Sequence, residues 1–286
     1  ERLQANDNKG IFNGVPFLLK DLNNYLEGTV TSGGSRVLEE VKANHTSELV
    51  KRTLDSGLNI FGKTNSPELG LTVTTEPILY GPTRNPWDLN RSSGGSSGGA
   101  SAAVAAGIIP MAQASDGGGS IRIPASCCGL FGLKPTRART PLGPASLEGW
   151  GGQSIFHCVS VSVRDSAALL DATSGAEKGA PYRSTHQEKS FLEQINIDPG
   201  NLKIGLIETP EVDIHNDVKE VLNCYRDSLA TVETSLYPDV RQDYYNKAQE
   251  NLIKIGEDDE VFKISISAID KEIKDKKQQV EDGTLN

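Results

Sequence analysis

The chain has 286 residues, of which 36% are hydrophobic and 23% charged, so it is long enough to bury a large core as a globular protein. Its formal net charge of −9 argues against a nucleic-acid backbone as the main partner. The longest apolar stretch, residues 102–112, contains Gly107 and Pro110 and is shorter than the roughly 20 residues that a membrane-spanning helix needs. We therefore expect neither nucleic-acid nor membrane binding.

The N-terminal part of the chain predicts alternating strands and helices. Residues 14–21 are a short apolar run that ends in Lys20 and Asp21, as a buried strand would. A helix is predicted from about residue 46 to residue 55, and a second strand at 58–62. This order of elements predicts an α/β protein.

Residues 93–122 concentrate glycine and very small side chains around two serines, Ser96 and Ser120. Residues 97–106 predict a small-residue helix and residues 110–114 an apolar strand, which disfavours a flexible linker. The Gly-Lys-Ser/Thr ending of a phosphate-binding loop is missing. We interpret this stretch as the functional site, because glycine lets main-chain N–H groups approach a bound molecule closely.

Ser120 is the candidate nucleophile, since Gly117, Gly118 and Gly119 before it offer main-chain donors for a developing oxyanion. A Ser-His-Asp arrangement has no obvious histidine, and no Gly-x-Ser-x-Gly elbow surrounds Ser120. We expect all four histidines in surface loops or at helix ends, and the cysteines, which lack metal-ligand spacing, as buried free thiols. These residues are His45, His157, His186 and His215, and Cys127, Cys128, Cys158 and Cys224.

Lys20 is the better candidate for the base. It ends an apolar strand, and burial favours the neutral form of an amine by lowering its pKa. Ser96, in a Gly-Gly-Ser-Ser-Gly-Gly loop, is the candidate to relay a proton between Lys20 and Ser120.

Three blocks of sequence, in order, resemble the amidase signature family. They are Gly-Gly-Ser-Ser-Gly-Gly at 94–99, Asp-x-Gly-Gly-Ser-Ile-Arg-x-Pro ending at Pro124, and Gly-x-x-Gly-Leu-Lys-Pro-Thr at 129–136. Ser96 and Ser120 are 24 positions apart, as in that family, and Gly-Val-Pro at 14–16 with Lys20 adds the lysine block. The resemblance covers residues 14–210. Within the family, residues 85–166 look most like hydrolases of the cyclic 6-aminohexanoate dimer and their relatives.

The resemblance implies a fold and a set of roles. The fold is α/β, with a mixed central sheet and helices on both faces. Lys20 is the base, Ser96 is the bridging serine after a cis Gly95–Ser96 bond, and Ser120 is the nucleophile. The main-chain N–H groups of 117–120 stabilise the oxyanion. The supporting residues are Gly95, Ser97, Asp116 and Arg122.

The implied activity is amide hydrolysis through a Ser120 acyl-enzyme, on small cyclic or linear amides, in the cytoplasm. The family uses no metal and no organic cofactor, and homodimers are common in it. Glycine at 117 replaces the usual threonine or isoleucine, and Ala138 replaces a usual glycine. We expect a single amidase domain over 1–286 with either terminus incomplete, and a peripheral, charged, helical segment at 239–286.

Two alternatives remain open. One is the A-type subunit of a glutamine-dependent tRNA amidotransferase, which the acidic composition does not support. The other is a catalytically inactive, truncated family member, because family members generally continue well past residue 286.

Overall fold

A computed structural model describes residues 10–184, 187–198, 200 and 214–223. The chain divides into two units, with the boundary between Asp198 and Pro199. The strands of the first unit are β1 (Pro16–Lys20), β2 (Asn59–Thr64), β3 (Arg84–Asn85), β4 (Asp88–Ser92), β5 (Met111–Asp116), β6 (Phe131–Gly132) and β7 (Ile155–Ser160). Its helices are α1 (Glu48–Asp55), α2 (Gly98–Ala105), α3 (Arg122–Cys127), α4 (Val163–Thr173) and α5 (Phe191–Gln194). Short 3₁₀ turns occur at Arg36–Leu38 and Glu68–Gly70.

The first strand–helix–strand unit is present as predicted. Strands β1 and β2 pair in parallel, with Lys20 opposite Thr64 at the end of the ladder, and α1 lies between them in the chain. The second strand continues two residues beyond its predicted end at residue 62. This ladder brings Lys20 to the carboxyl end of a buried strand, where its side chain is fully buried.

A second ladder is antiparallel and has the order β5–β7–β6, while β3 and β4 form a separate antiparallel pair. Every residue of β5 and of β7 is buried. Successive β5 side chains point to opposite faces: Met111 joins one apolar cluster, and Ala112 and Ala114 join another. Helices α1 and α4 contribute to the first cluster and α2 to the second. The α/β class predicted from the sequence is therefore confirmed.

Helix α2 packs closely because its first turn has almost no side chains. A methyl group placed on Gly99 would lie 2.4 Å from the backbone N of Asn65, and one on Gly98 would lie 2.3 Å from Oγ1 of Thr75. Glycine is therefore required at both positions, since real Cβ contacts are not this short. The small-residue helix predicted at 97–106 is observed over Gly98–Ala105.

Arg52 connects α1 to the end of α4. Its Nη1 donates to the carbonyl oxygens of Thr173, Ser174 and Gly175 at 3.1, 2.9 and 2.8 Å. Carbonyls at a helix C-terminus have no partner within the helix, and a guanidinium satisfies several of them at once. At the other end of α4, the Ser162 hydroxyl accepts from the N–H of Asp165 as an N-cap.

In the second unit the structure describes a helix at 216–223. The charged segment predicted at 239–286, together with His186 and Cys224, lies outside the described residues. Among the described helices, none has the length and apolar character needed to cross a membrane.

Candidate active site

Lys20 and Ser96 are in direct contact. The Nζ atom of Lys20 lies 2.7 Å from the Ser96 hydroxyl oxygen and 3.0 Å from that of Ser115, and it donates to both. Burial lowers the pKa of Lys20 to about 7, although the negative charge of Asp116 opposes this effect. A substantial fraction of Lys20 is therefore neutral near neutral pH, as a general base requires.

The peptide bond between Gly95 and Ser96 is cis, as the resemblance implies. A methyl group on Gly95 would lie 2.6 Å from the carbonyl oxygen of Thr74, so only glycine fits there. Ser96 is buried, and its hydroxyl faces Lys20.

Ser120 lies on the loop that follows β5 and is partly exposed. Its carbonyl oxygen accepts from the N–H of Ser97 at 3.2 Å, which ties the loop to the start of α2. The Ser97 hydroxyl also bonds the N–H and the carbonyl of Ser115, both at 3.3 Å. Within the described part of the chain, the Ser120 hydroxyl makes no hydrogen bond to Ser96. The open side of the loop is at Gly118, where a methyl group would have no neighbour within 4 Å.

Asp116 and Arg122 brace this loop. The buried carboxylate of Asp116 accepts from the N–H groups of Gly119 at 2.8 Å, Ile121 at 3.2 Å and Arg122 at 3.3 Å. The Arg122 guanidinium adds two contacts of 2.9 Å. Burial alone would raise the pKa of Asp116, but these hydrogen bonds outweigh it and hold the pKa below its ordinary value.

This bracing changes the expected set of oxyanion donors. The N–H of Gly119 is already used by Asp116, so it is not free for a substrate oxygen. Among the described residues, the N–H groups of Gly118 and Ser120 have no partner. Of the donors expected at 117–120, the Gly119 N–H is therefore engaged within the protein, and the roles of Gly117, Gly118 and Ser120 remain predictions.

Sequence reasoning missed two polar residues of β5. Ser115 is the second partner of the Lys20 amine. Gln113 is buried, and its Oε1 accepts from the main-chain N–H of Lys20 at 2.7 Å, while its Nε2 donates to the carbonyl of Ala114 at 3.0 Å. The available signal was a glutamine between Ala112 and Ala114 in the apolar run at 110–114, because a buried amide needs hydrogen-bond partners.

Two further expectations were wrong. His157 is buried in β7 rather than in a surface loop, and its Nε2 lies 2.7 Å from the Ser166 hydroxyl. Burial lowers the pKa of His157 to about 4. Cys128 and Cys158 are buried free thiols as expected, but Cys127 is exposed. Within the described ranges, no group of three or more His, Cys, Asp or Glu side chains is arranged to hold a metal ion.

Comparison with known proteins identifies the family of this chain and several of its relatives. The family model described as Amidase matches residues 1–253. The chain is 43% identical over 205 residues to a 6-aminohexanoate-cyclic-dimer hydrolase of Paenarthrobacter ureafaciens, covering 69% of this chain and 41% of that protein. It is 34% identical over 250 residues to the A-type subunit of the glutamyl-tRNA(Gln) amidotransferase of Alkalilimnicola ehrlichii, covering 84% of this chain and 50% of that one.

A solved structure of a 6-aminohexanoate cyclic dimer hydrolase in complex with substrate superimposes with a TM-score of 0.68 at 42% identity. The match covers 71% of this chain and 43% of that one. The chain thus spans about two-fifths of the length of these hydrolases. It belongs to the amidase signature family.

Proposed function

We propose that the protein hydrolyses non-peptide amide bonds through an acyl-enzyme on Ser120. The observation that carries this proposal is the fully buried Lys20 amine, 2.7 Å from the Ser96 hydroxyl and with its pKa lowered to about 7 by burial. A partly neutral amine can act as a general base, and the hydroxyl beside it can relay a proton to that base. Ser120 lies on the loop that Asp116 and Arg122 brace.

In the proposed mechanism, neutral Lys20 takes the proton of Ser96, and Ser96 takes the proton of Ser120. The Ser120 oxygen then bonds to the amide carbon, and the carbonyl oxygen becomes an oxyanion near the N–H groups of Gly118 and Ser120. When the C–N bond breaks, the relay returns the proton to the leaving amine. Water then attacks the acyl-enzyme and releases the acid, with the same relay acting as base.

The relatives support a proposal for the substrate class. Both the sequence relatives and the structural relatives include hydrolases of the cyclic 6-aminohexanoate dimer. Small cyclic or linear amides of that type are therefore the proposed substrates. The proposal extends to the fold: the β1–β2 and β5–β7–β6 ladders form one mixed central sheet with helices on both faces. The hydrogen bond from the Lys20 N–H to the Gln113 side chain, which joins β1 to β5, supports this arrangement.

The test is substitution of Ser120 by alanine. Wild type should hydrolyse 6-aminohexanoate amides and react with a fluorophosphonate probe, whereas Ser120→Ala should lose both activities with an unchanged melting temperature. Ser126→Ala, at an exposed position of α3, serves as the matched control and should behave as wild type. Turnover retained by Ser120→Ala would exclude Ser120 as the nucleophile.

The similarity to the A-type amidotransferase chain favours a second candidate, a component that works in a complex with glutamine as ammonia donor. Glutaminase activity without hydrolysis of other amides, together with co-purifying subunits, would favour this candidate. Hydrolysis of simple amides by the isolated chain would favour the first.

A further inference from the structure

The glycine at position 117 faces an aromatic ring. A methyl group placed on Gly117 would lie 3.0 Å from Cε3 and 3.3 Å from Cζ3 of Trp150. The indole ring therefore occupies the space that a side chain at position 117 would need. The loop that carries Ser120 is thus bounded by Trp150 at Gly117 and is open at Gly118.

Trp150 is held in a strained position. Its φ is +52°, in the left-handed region that bulky side chains rarely adopt. The turn around it is fixed by main-chain bonds from Gly152 and Ser154 to the carbonyl of Gly149, and by Arg137, whose Nε donates to the carbonyl of Gly152 at 3.0 Å. Strained residues of this kind persist where the surrounding structure enforces them, and they are concentrated at active sites and ligand clamps.

The ring is nevertheless largely open to solvent. Trp150 is 61% exposed, so its contact with Gly117 covers only part of the indole. An exposed aromatic face next to the N–H groups that would hold a carbonyl oxygen is suited to the apolar group attached to that carbonyl.

We infer that Trp150 is a specificity-determining residue that contacts the apolar part of the amide next to the scissile carbonyl. This inference rests on the proposed function. The substrates that Trp150 selects carry an aliphatic or aromatic acyl group on the scissile carbonyl. Gly117 is the residue that lets the indole ring approach the loop. Primary amides with the smallest acyl groups do not reach the ring and gain nothing from it.

The experiment compares kcat/KM for acetyl-, hexanoyl- and benzoyl-4-nitroanilide in wild type and in Trp150→Asn. Asparagine tolerates a positive φ, so this variant removes the ring without forcing the turn to change. We expect hexanoyl and benzoyl substrates to lose roughly 10- to 100-fold in kcat/KM relative to acetyl, because burial of an apolar group is worth about that much discrimination. Ile108→Ala, at an exposed apolar position after α2, is the matched control and should leave the ratio unchanged.

A second variant tests the contact itself. Gly117→Ala should lower kcat/KM in wild type, because its methyl group collides with the ring, and should have a smaller effect when Trp150 is already asparagine. Equal losses for all three anilides in Trp150→Asn, with a normal melting temperature and fluorophosphonate labelling, would overturn the inference and leave the proposed function standing. Wild type that neither labels nor hydrolyses any anilide would overturn both.

Discussion

Lys20 illustrates how burial alone can prepare an amine for base chemistry. Within the described part of the chain, its amine has no carboxylate as a hydrogen-bond partner; both partners there are hydroxyl groups, on Ser96 and Ser115. Burial therefore outweighs the charge of Asp116, and the pKa falls to about 7. Burying this amine lowers the free energy of unfolding, because the lysine of the unfolded chain keeps its proton up to about pH 10.5.

Lys20→Met should separate activity from stability. In wild type, kcat/KM should rise as the pH passes through about 7, because the neutral amine is the active form. Removing a general base lowers the rate by roughly 10²- to 10⁴-fold, so Lys20→Met should keep only weak turnover, which increases toward high pH as hydroxide takes over. The measurement is a pH–rate profile with a chromogenic anilide.

The same variant has a stability signature with a defined sign. Between about pH 7 and pH 10.5 the unfolded chain binds more protons than the folded one, so wild-type stability should rise with pH across this window. Below about pH 7 the cost of the buried lysine is fully present, and there Lys20→Met should be the more stable protein in urea unfolding. Lys51→Met, at an exposed position of α1, is the control and should show neither effect. A Lys20→Met protein with a full wild-type pH–rate profile would remove Lys20 from the mechanism.

At the scale of elements, β1 and β5 are joined through a side chain. The main-chain N–H of Lys20 donates to the amide oxygen of Gln113, at a distance of 93 residues along the chain. The Gln113 side chain thus accepts the hydrogen bond that a main-chain carbonyl accepts in a β-ladder, and it fixes the backbone from which the Lys20 amine extends.

Gln113→Leu should therefore weaken both the fold and the site. The buried N–H of Lys20 would lose its acceptor, which costs about 1–3 kcal/mol of unfolding free energy. A displaced Lys20 would also lower kcat more than it raises KM. Denaturant unfolding and steady-state kinetics measure the two effects, and Gln153→Leu, at an exposed position, is the matched control. Gln113→Glu restores an acceptor, so it should recover part of the stability; a Leu variant as stable and active as wild type would refute this role.

The sequence predicted the local helices and strands and the residues within motifs. It did not predict which residues of neighbouring strands contact one another. The strand ending in Lys20 and the small-residue helix α2 were predictable because their patterns are local. Ser115, Gln113 and the buried His157 were not, because their roles depend on which strands become neighbours. The engagement of the Gly119 N–H by Asp116 was equally hidden, since a glycine run does not reveal which of its donors fold back onto the protein.

At the scale of the whole first unit, a few long-range ties join its parts. Arg52 is one of them, because its guanidinium satisfies three carbonyls at the end of α4, more than 120 residues further along the chain. Its ion pair with Glu48 at 3.1 Å lies within α1 and adds little. Helices α1 and α4 both pack on the apolar cluster that contains Met111, so this tie also supports β5.

Arg52→Ala should destabilise the protein by about 1.5–3 kcal/mol, since a hydrogen bond to a charged group is worth that much and the carbonyls of α4 would lose their donor. Thermal unfolding measures the loss. Arg91→Ala is the control, because Arg91 is exposed and its ion pair with Asp88 lies on the surface; it should change stability by less than about 1 kcal/mol. Equal melting temperatures for the two variants would show that the tie is unimportant.

The close packing around Ser96 limits which substitutions this part of the chain can accept. Gly95, Gly98 and Gly99 each press against main-chain or short side-chain atoms, with no room for a methyl group. A side chain cannot be added at these three glycines without displacing neighbouring atoms, so substitutions there should disturb the backbone around Ser96. An exposed side chain such as that of Trp150 can be exchanged with far less displacement of its surroundings.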